Sequence, residues 1–262
     1  MTVPTYLVYA LIVAALVGII TPPLLAFYLN RKLRAGWRWI WYGALVYLVA
    51  EIVNAAVFRL APITHPDAFL GLGRLNLRDA VYVSLLAGVG EEALRYLGYL
   101  LFFRAEDRTW NNAVMYGLGH GGLELMADKT IRTAFVVAVL LVTPHLRPGE
   151  AGQTPETVAV MVALWKKAAA FRIGGIVWTT AARIGALAVQ IYLAVLVLQV
   201  FRRANVAWLF LAVGFHAAVD FSTALSPYPD VVGLVWAVVC LGLLPRLRDD
   251  SPSVNGAMIA AT

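Results

Sequence analysis

Three pairs of ionisable residues stand inside long apolar runs of this chain: Glu91 with Arg95, His120 with Glu124, and His216 with Asp220. The partners in each pair are four residues apart, so on a helix each pair shares one face. A glutamate and two imidazoles in an apolar setting could take a proton from water, or hold a metal that does. Hydrolysis of a peptide bond within a membrane is the simplest such chemistry. A proton or ion pathway through the same groups is the alternative that the residue types leave open.

Depth strengthens the pattern. Glu91 is the central residue of the apolar run 79–103, His120 is close to the centre of 110–127, and His216 is close to the centre of 206–225. Singly, a histidine in such a run is a helix–helix hydrogen bond and a Glu–Arg pair is a structural ion pair. Three sets at one depth argue for a shared polar site, because ionisable groups in lipid must face inward and find partners.

The neighbours fit that demand. Glu92 points about 100° away from Glu91 on a helix, so the two carboxylates differ in role. Arg95 is four residues from Glu91 and three from Glu92 and can pair with either. Gly117, Gly119, Gly121 and Gly122 surround His120. Each costs a helix about 1 kcal/mol relative to alanine, which is sustained where backbone must come close to another helix or a substrate. Glu124 can orient the His120 imidazole or share a ligand with it, and Asp220 stands to His216 in the same way. Arg183, deep in the run 173–201, needs an anionic partner, with Glu92, Glu124 and Asp220 as candidates. Glu51 and Asn54 could reach the same cavity or an interface. His65 and His145 stand beside prolines in loops and are expected to be solvated.

Composition sets the frame that must position these groups. Hydrophobic residues make up 61% of the 262, charged residues 14%, and the mean hydropathy is +0.76. Soluble domains carry roughly 25% charged residues, so this is an integral membrane protein. The net charge of +6 is not a nucleic-acid footprint, because the Lys and Arg residues gather at the ends of apolar runs. Cys240 is alone and forms no intramolecular disulfide.

The expected fold is an all-α polytopic transmembrane bundle with a polar cavity at mid-membrane depth. Spans are read at 6–28, 37–58, 79–103, 110–127, 173–201, 206–225 and 231–244. The first has no basic residue before its apolar run and no small-residue cleavage site after it, and is read as a retained span rather than a signal peptide. The loop 30–38 holds four basic residues and no acid, which places it in the cytoplasm and the N-terminus outside. The short apolar piece 133–143 would make an eighth span if it crossed. Seven spans put Arg202, Arg203, Arg246 and Arg248 on the same side as that loop, so seven is preferred. Segment 157–171 is amphipathic and suits the membrane surface. Trp37, Trp39, Trp110 and Trp208 read as interfacial anchors. Residues 1–248 form one membrane domain with a core at 79–225, and the polar tail 249–262 is expected to be disordered.

The ordered set Glu91-Glu92-x-x-Arg95, Gly119-His120-Gly121-Gly122-x-Glu124 and His216-x-x-x-Asp220 resembles the YhfC family of intramembrane proteases. That family is itself distantly similar to the CAAX prenyl protease type II (CPBP) and PrsW groups. The resemblance spans about 79–225. It implies an endopeptidase acting on membrane-embedded or membrane-proximal protein or peptide substrates, in the lipid bilayer of a prokaryotic cell (inner) membrane. It implies that Glu91 activates water with the help of His120, and that His216 and Asp220 polarise the scissile carbonyl or stabilise its oxyanion. Glu92, Arg95, Glu124 and Arg183 would be supporting residues. Either a metal-free glutamate mechanism or a Zn²⁺ held by His120, His216 and Glu91 is compatible with these residue types. One departure stands out. The family pattern carries Glu-Arg and, two turns later, His on the helix before the last motif, where this chain has Ala182-Arg183 and Gln190. A degenerate member that binds transmembrane partners without cutting them is therefore the second functional reading.

Overall fold

The computed structural model describes residues 5–60, 75–145 and 154–248. His65 and the tail from Asp249 lie outside these residues. Among the described residues the long elements are all helical: α1 (Thr5–Leu33), α2 (Arg38–Leu60), α3 (Leu77–Phe102), α4 (Trp110–Val142), α5 (Pro155–Ala169), α6 (Ile173–Arg202), α7 (Ala207–Leu225) and α8 (Pro229–Leu243).

Local chemistry accounts for where these helices begin. The side-chain oxygens of Asn76, Thr109 and Thr154 accept from the backbone N–H three residues on, satisfying donors that have no intrahelical partner. Pro155 follows Thr154 at the first position of α5, where a missing N–H does no harm. The α1–α2 turn closes through Gly36, whose φ of 96° only glycine adopts freely and whose N–H donates to Asn30 Oδ1 at 2.8 Å.

Among the described residues, five helical segments, namely α1, Arg38–Phe58, α6, α7 and Pro229–Leu247, are long and apolar enough to cross a membrane. The other two long helices, α3 and α4, carry the polar motifs. Helix α4 runs unbroken to Val142, where a 3-10 turn takes over at Thr143, so the piece 133–143 extends the fourth helix instead of turning back as a separate one. At 1.5 Å per residue α4 is about 50 Å long, well beyond a hydrocarbon core of about 30 Å. Its far end meets α5, where Trp165 Nε1 donates to the Leu140 carbonyl and Leu7, Leu11, Leu140, Ala168 and Ile176 form a small apolar cluster.

The basic turns share one end of the bundle. Arg38 pairs with Asp107 at 2.6 Å, Asn111 Nδ2 donates to the Leu33 carbonyl, and Gln199 Nε2 donates to the Leu247 carbonyl. Arg108 lies over the Phe201 ring and Arg248 over the Trp110 ring. The turns after α1, α3, α6 and α8 are therefore neighbours, as the charge pattern required. Trp39 departs from expectation. It is 1% exposed, stacked on Phe103 with centroids 4.2 Å apart, and is a core residue of this end rather than an interfacial anchor. Its indole N–H is satisfied by the Ala35 carbonyl, which is why burial is tolerated.

Helix α4 packs on α1, α2 and α6, while α3 packs on α2 and α7, and α6 on α7 and α8. The glycines of α4 are what let it be central. A Cβ on Gly119 would collide with the Ile40 backbone of α2, and one on Gly117 would lie 2.7 Å from Ile191 Cα of α6. Close backbone approach of this kind brings α2, α3, α4, α6 and α7 around one polar cluster.

Candidate active site

Glu91 is the hub of that cluster. Its Oε2 lies 3.1 Å from Nε2 of His120 on α4 and 3.9 Å from Nε2 of His216 on α7. His216 Nδ1 is 2.7 Å from Glu92 Oε1, and its Nε2 is 3.6 Å from Asp220 Oδ2. Three helices, each contributing one of the polar motifs, thus meet within hydrogen-bond and ion-pair range. His120 and Glu92 are fully buried, while Glu91 keeps a 12% exposed side chain and Asp220 a 39% exposed one. Glu91 and Asp220 are thus the carboxylates of the cluster that keep an open side.

The two adjacent carboxylates have separate partners, as their angular separation on α3 requires. Arg95 pairs with Glu92, not Glu91, and both side chains are wholly buried. Its other amino group donates to Gln190 Oε1, and Gln190 Nε2 donates to Glu124 Oε2 at 2.8 Å. The result is one network: His120–Glu91–His216–Glu92–Arg95–Gln190–Glu124. Glu92 is held by a cation and an imidazole, which leaves Glu91 as the carboxylate presented to the open side.

Several sequence expectations change here. Glu124 does not orient His120; it takes the Gln190 amide, while His120 is hydrogen-bonded to Glu91. The parallel between the two His–acid pairs therefore fails, although His216 and Asp220 do face each other. Arg183 does not reach Glu92, Glu124 or Asp220 as its ion-pair partner; its Nε is 3.6 Å from Asp128 Oδ2. Glu51 is exposed on α2, while the buried Asn54 presses its Oδ1 onto Gly90 of α3. His145 is exposed. Cys240 is buried in the core.

In the sequence Gln190 stands out only for the imidazole it lacks. In the structure it is the bridge between α3 and α4. The signal in the sequence is an amide set in the apolar stretch between Arg183 and Gln199, which needs partners. Ala182, the other departure, faces α8, with its Cβ 3.9 Å from the position a Gly233 Cβ would take. An acid at 182 would start two turns from Gln190 and about 80° around the helix from it, toward α8.

The sequence profile of the YhfC intramembrane metalloprotease family matches residues 12–238. The chain belongs to this family. A relative named uncharacterized membrane protein YhfC, from Bacillus subtilis (strain 168), is 27% identical over 244 residues, covering 85% of this chain and 88% of the relative. No solved structure matches.

The family's name implies a metal. Among the described residues no three His, Cys, Asp or Glu side chains are grouped to hold a metal ion. The chemistry of the cluster explains this. The point toward which both imidazoles turn their Nε2 is taken by Glu91 Oε2 itself, 3.1 Å from His120 and 3.9 Å from His216, His216 Nδ1 is engaged by Glu92, and the Arg95 guanidinium already supplies a buried positive charge. As arranged, these residues do not fit a metal centre.

Proposed function

We propose that this protein is an intramembrane endopeptidase that uses Glu91 to activate water. The observation that carries the reading is the position of the Glu91 carboxylate between the imidazoles of His120 and His216, with its neighbour Glu92 immobilised by Arg95. In the hydrolytic step, Glu91 accepts a proton from water as the water oxygen attacks the scissile carbonyl carbon. Glu91 then returns that proton to the departing amine. His120 holds the Glu91 carboxylate in place. His216, as an imidazolium with Nδ1–H on Glu92, donates from Nε2 to the oxyanion, and Asp220 orients it.

The substrate class follows from where the cluster lies: a protein segment embedded in or next to the bilayer. The basic end of the bundle is the cytoplasmic end under the positive-inside rule, and α5 then lies outside. The deciding experiment uses purified protein and a reporter with a cleavable transmembrane segment. Glu91→Gln should abolish turnover, and undiminished cleavage would overturn the mechanism. The second reading, a catalytically silent binder of transmembrane segments, draws on Gln190 standing where the family pattern has an imidazole. It would be favoured by stable capture of the reporter without cleavage by the wild-type chain.

A further inference from the structure

Hydrolysis at membrane depth consumes water that lipid does not supply, and α4 and α6 carry polar residues that lead away from the cluster. One face of α4 bears His120, Glu124 and Asp128 at four-residue intervals. The facing side of α6 bears Gln190 and, two turns toward its N-terminus, Arg183. Rungs join the two helices: Gln190 to Glu124, Arg183 to Asp128, and beyond them Lys129 Nζ to Thr180 Oγ1 at 3.3 Å. Asp128 is also bound by Arg132, which is largely exposed.

Between the first two rungs lies a cavity of about 10 Å³, lined by Gly121, Glu124, Leu125, Asp128, Arg183 and Ala186. That is at the lower limit of the space that holds a single water molecule, and two to four polar partners are what such a site needs. Glu124, Asp128 and Arg183 provide them. Gly121 is the residue after His120, and a Cβ there would lie 2.7 Å from Gln190 Cβ. The glycine keeps α4 and α6 close at the level where the cavity ends. Within the cluster itself, His120 Nδ1, Glu92 Oε2 and Arg95 Nε are buried without a hydrogen-bond partner among the described residues. Buried polar atoms of this kind are commonly satisfied by ordered water.

We propose that the cavity between α4 and α6 is a water-binding site that supplies the nucleophile to Glu91, with Asp128 and Arg183 as the polar walls that admit and hold it. This rests on the hydrolytic reading above. The route runs from the end of the bundle where α4 meets α5, past Asp128 and Arg183, to Glu124 and then to His120, one helical turn away. Asp128 and Arg183 are positioning residues: they act on the water and not on the substrate.

Hydroxyl-radical footprinting by radiolysis tests this without any substrate, because bound water generates radicals in place. Leu125 and Leu193 are both buried, at 3% and 0% exposure, but only Leu125 lines the cavity. In the full-length wild-type protein Leu125 should be oxidised about tenfold faster than Leu193 if the cavity is hydrated. The Asp128→Leu/Arg183→Leu variant removes both charges together and should bring Leu125 down to the rate of Leu193. Arg183→Lys should keep most of the wild-type rate. Equal oxidation of Leu125 and Leu193 in the wild type would overturn the water site. Fast oxidation of Leu125 that persists in the double variant would overturn the role of Asp128 and Arg183. In the cleavage assay the double variant should lose about tenfold in kcat with KM unchanged, the signature of a missing nucleophile and not of weakened substrate binding. Should the wild type cleave nothing, the footprint still decides the water site, so the two failures are distinguishable.

Discussion

The Oε2 of Glu91 lies 3.1 Å from the Nε2 of His120, joining α3 to α4 across 29 residues of sequence at the centre of an apolar bundle. The imidazole limits the rotamers of the carboxylate, which keeps a 12% exposed side. Replacing Glu91 by Gln keeps the shape and removes the basic oxygen. A fall in kcat of about 10²–10⁴-fold is expected, with little change in KM. Steady-state cleavage of a transmembrane reporter, alongside a melting curve to show an intact fold, checks it.

The buried Glu92–Arg95 pair gives a prediction about stability. Glu92→Leu leaves the guanidinium with the neutral Gln190 amide and no carboxylate, in a site with no solvent exposure. The expected cost is about 3–5 kcal/mol, because an uncompensated buried charge remains. Glu92→Leu/Arg95→Met should recover much of that loss. Thermal unfolding in detergent reads both, and a single variant as stable as wild type would show that the pair is not structural.

Two glycines should respond in opposite ways. A Cβ at Gly119 collides with the Ile40 carbonyl, whereas one at Gly214 meets nothing within 4 Å. Gly119→Ala should destabilise by about 1–3 kcal/mol, by forcing α2 and α4 apart. Gly214→Ala should be neutral or stabilise by up to about 1 kcal/mol, through helix propensity. Equal effects in the same melting assay would contradict the close approach of these helices.

Metal removal is a further check. If the cluster acts as the arranged residues indicate, dialysis against a strong chelator leaves cleavage within about twofold of the untreated protein. Elemental analysis of the active protein should find well under one equivalent of zinc. Loss of activity on chelation, with recovery on adding Zn²⁺, would show that Glu91, His120 and His216 rearrange around a metal.

Replacing Gln190 tests the bridge. Gln190→Leu removes both the acceptor for Arg95 and the donor to Glu124, two interactions in a buried network. A loss of about 2–4 kcal/mol in stability is expected from the polar groups left unpaired. Gln190→Glu should be milder at Arg95 and harsher at Glu124, where two carboxylates would face each other. Comparing the two melting temperatures separates the bonds.

Sequence by itself determined that the chain is a membrane protein and that its polar motifs share a depth. Both follow from local physics: hydropathy over about 20 residues per crossing, and the cost of ionisable groups in lipid. The four-residue spacings placed Glu91 with Arg95, His120 with Glu124, and His216 with Asp220 on single helix faces. Charge asymmetry correctly grouped the basic turns at one end. Which side chain holds which was decided only by tertiary structure. Spacing offers Arg95 two carboxylates, but the rotation of α3 between α2, α6 and α7 selects Glu92. Spacing offers His120 its helical neighbour Glu124, but the approach of α6 gives Glu124 to Gln190 and leaves His120 to Glu91 on another helix. Trp39 reads as an interfacial residue until Phe103 and the Ala35 carbonyl are packed against it. Helix periodicity sets which residues share a face. The partner of that face depends on how the glycine-lined surfaces of α4 let its neighbours close in, and that is a property of the assembled bundle.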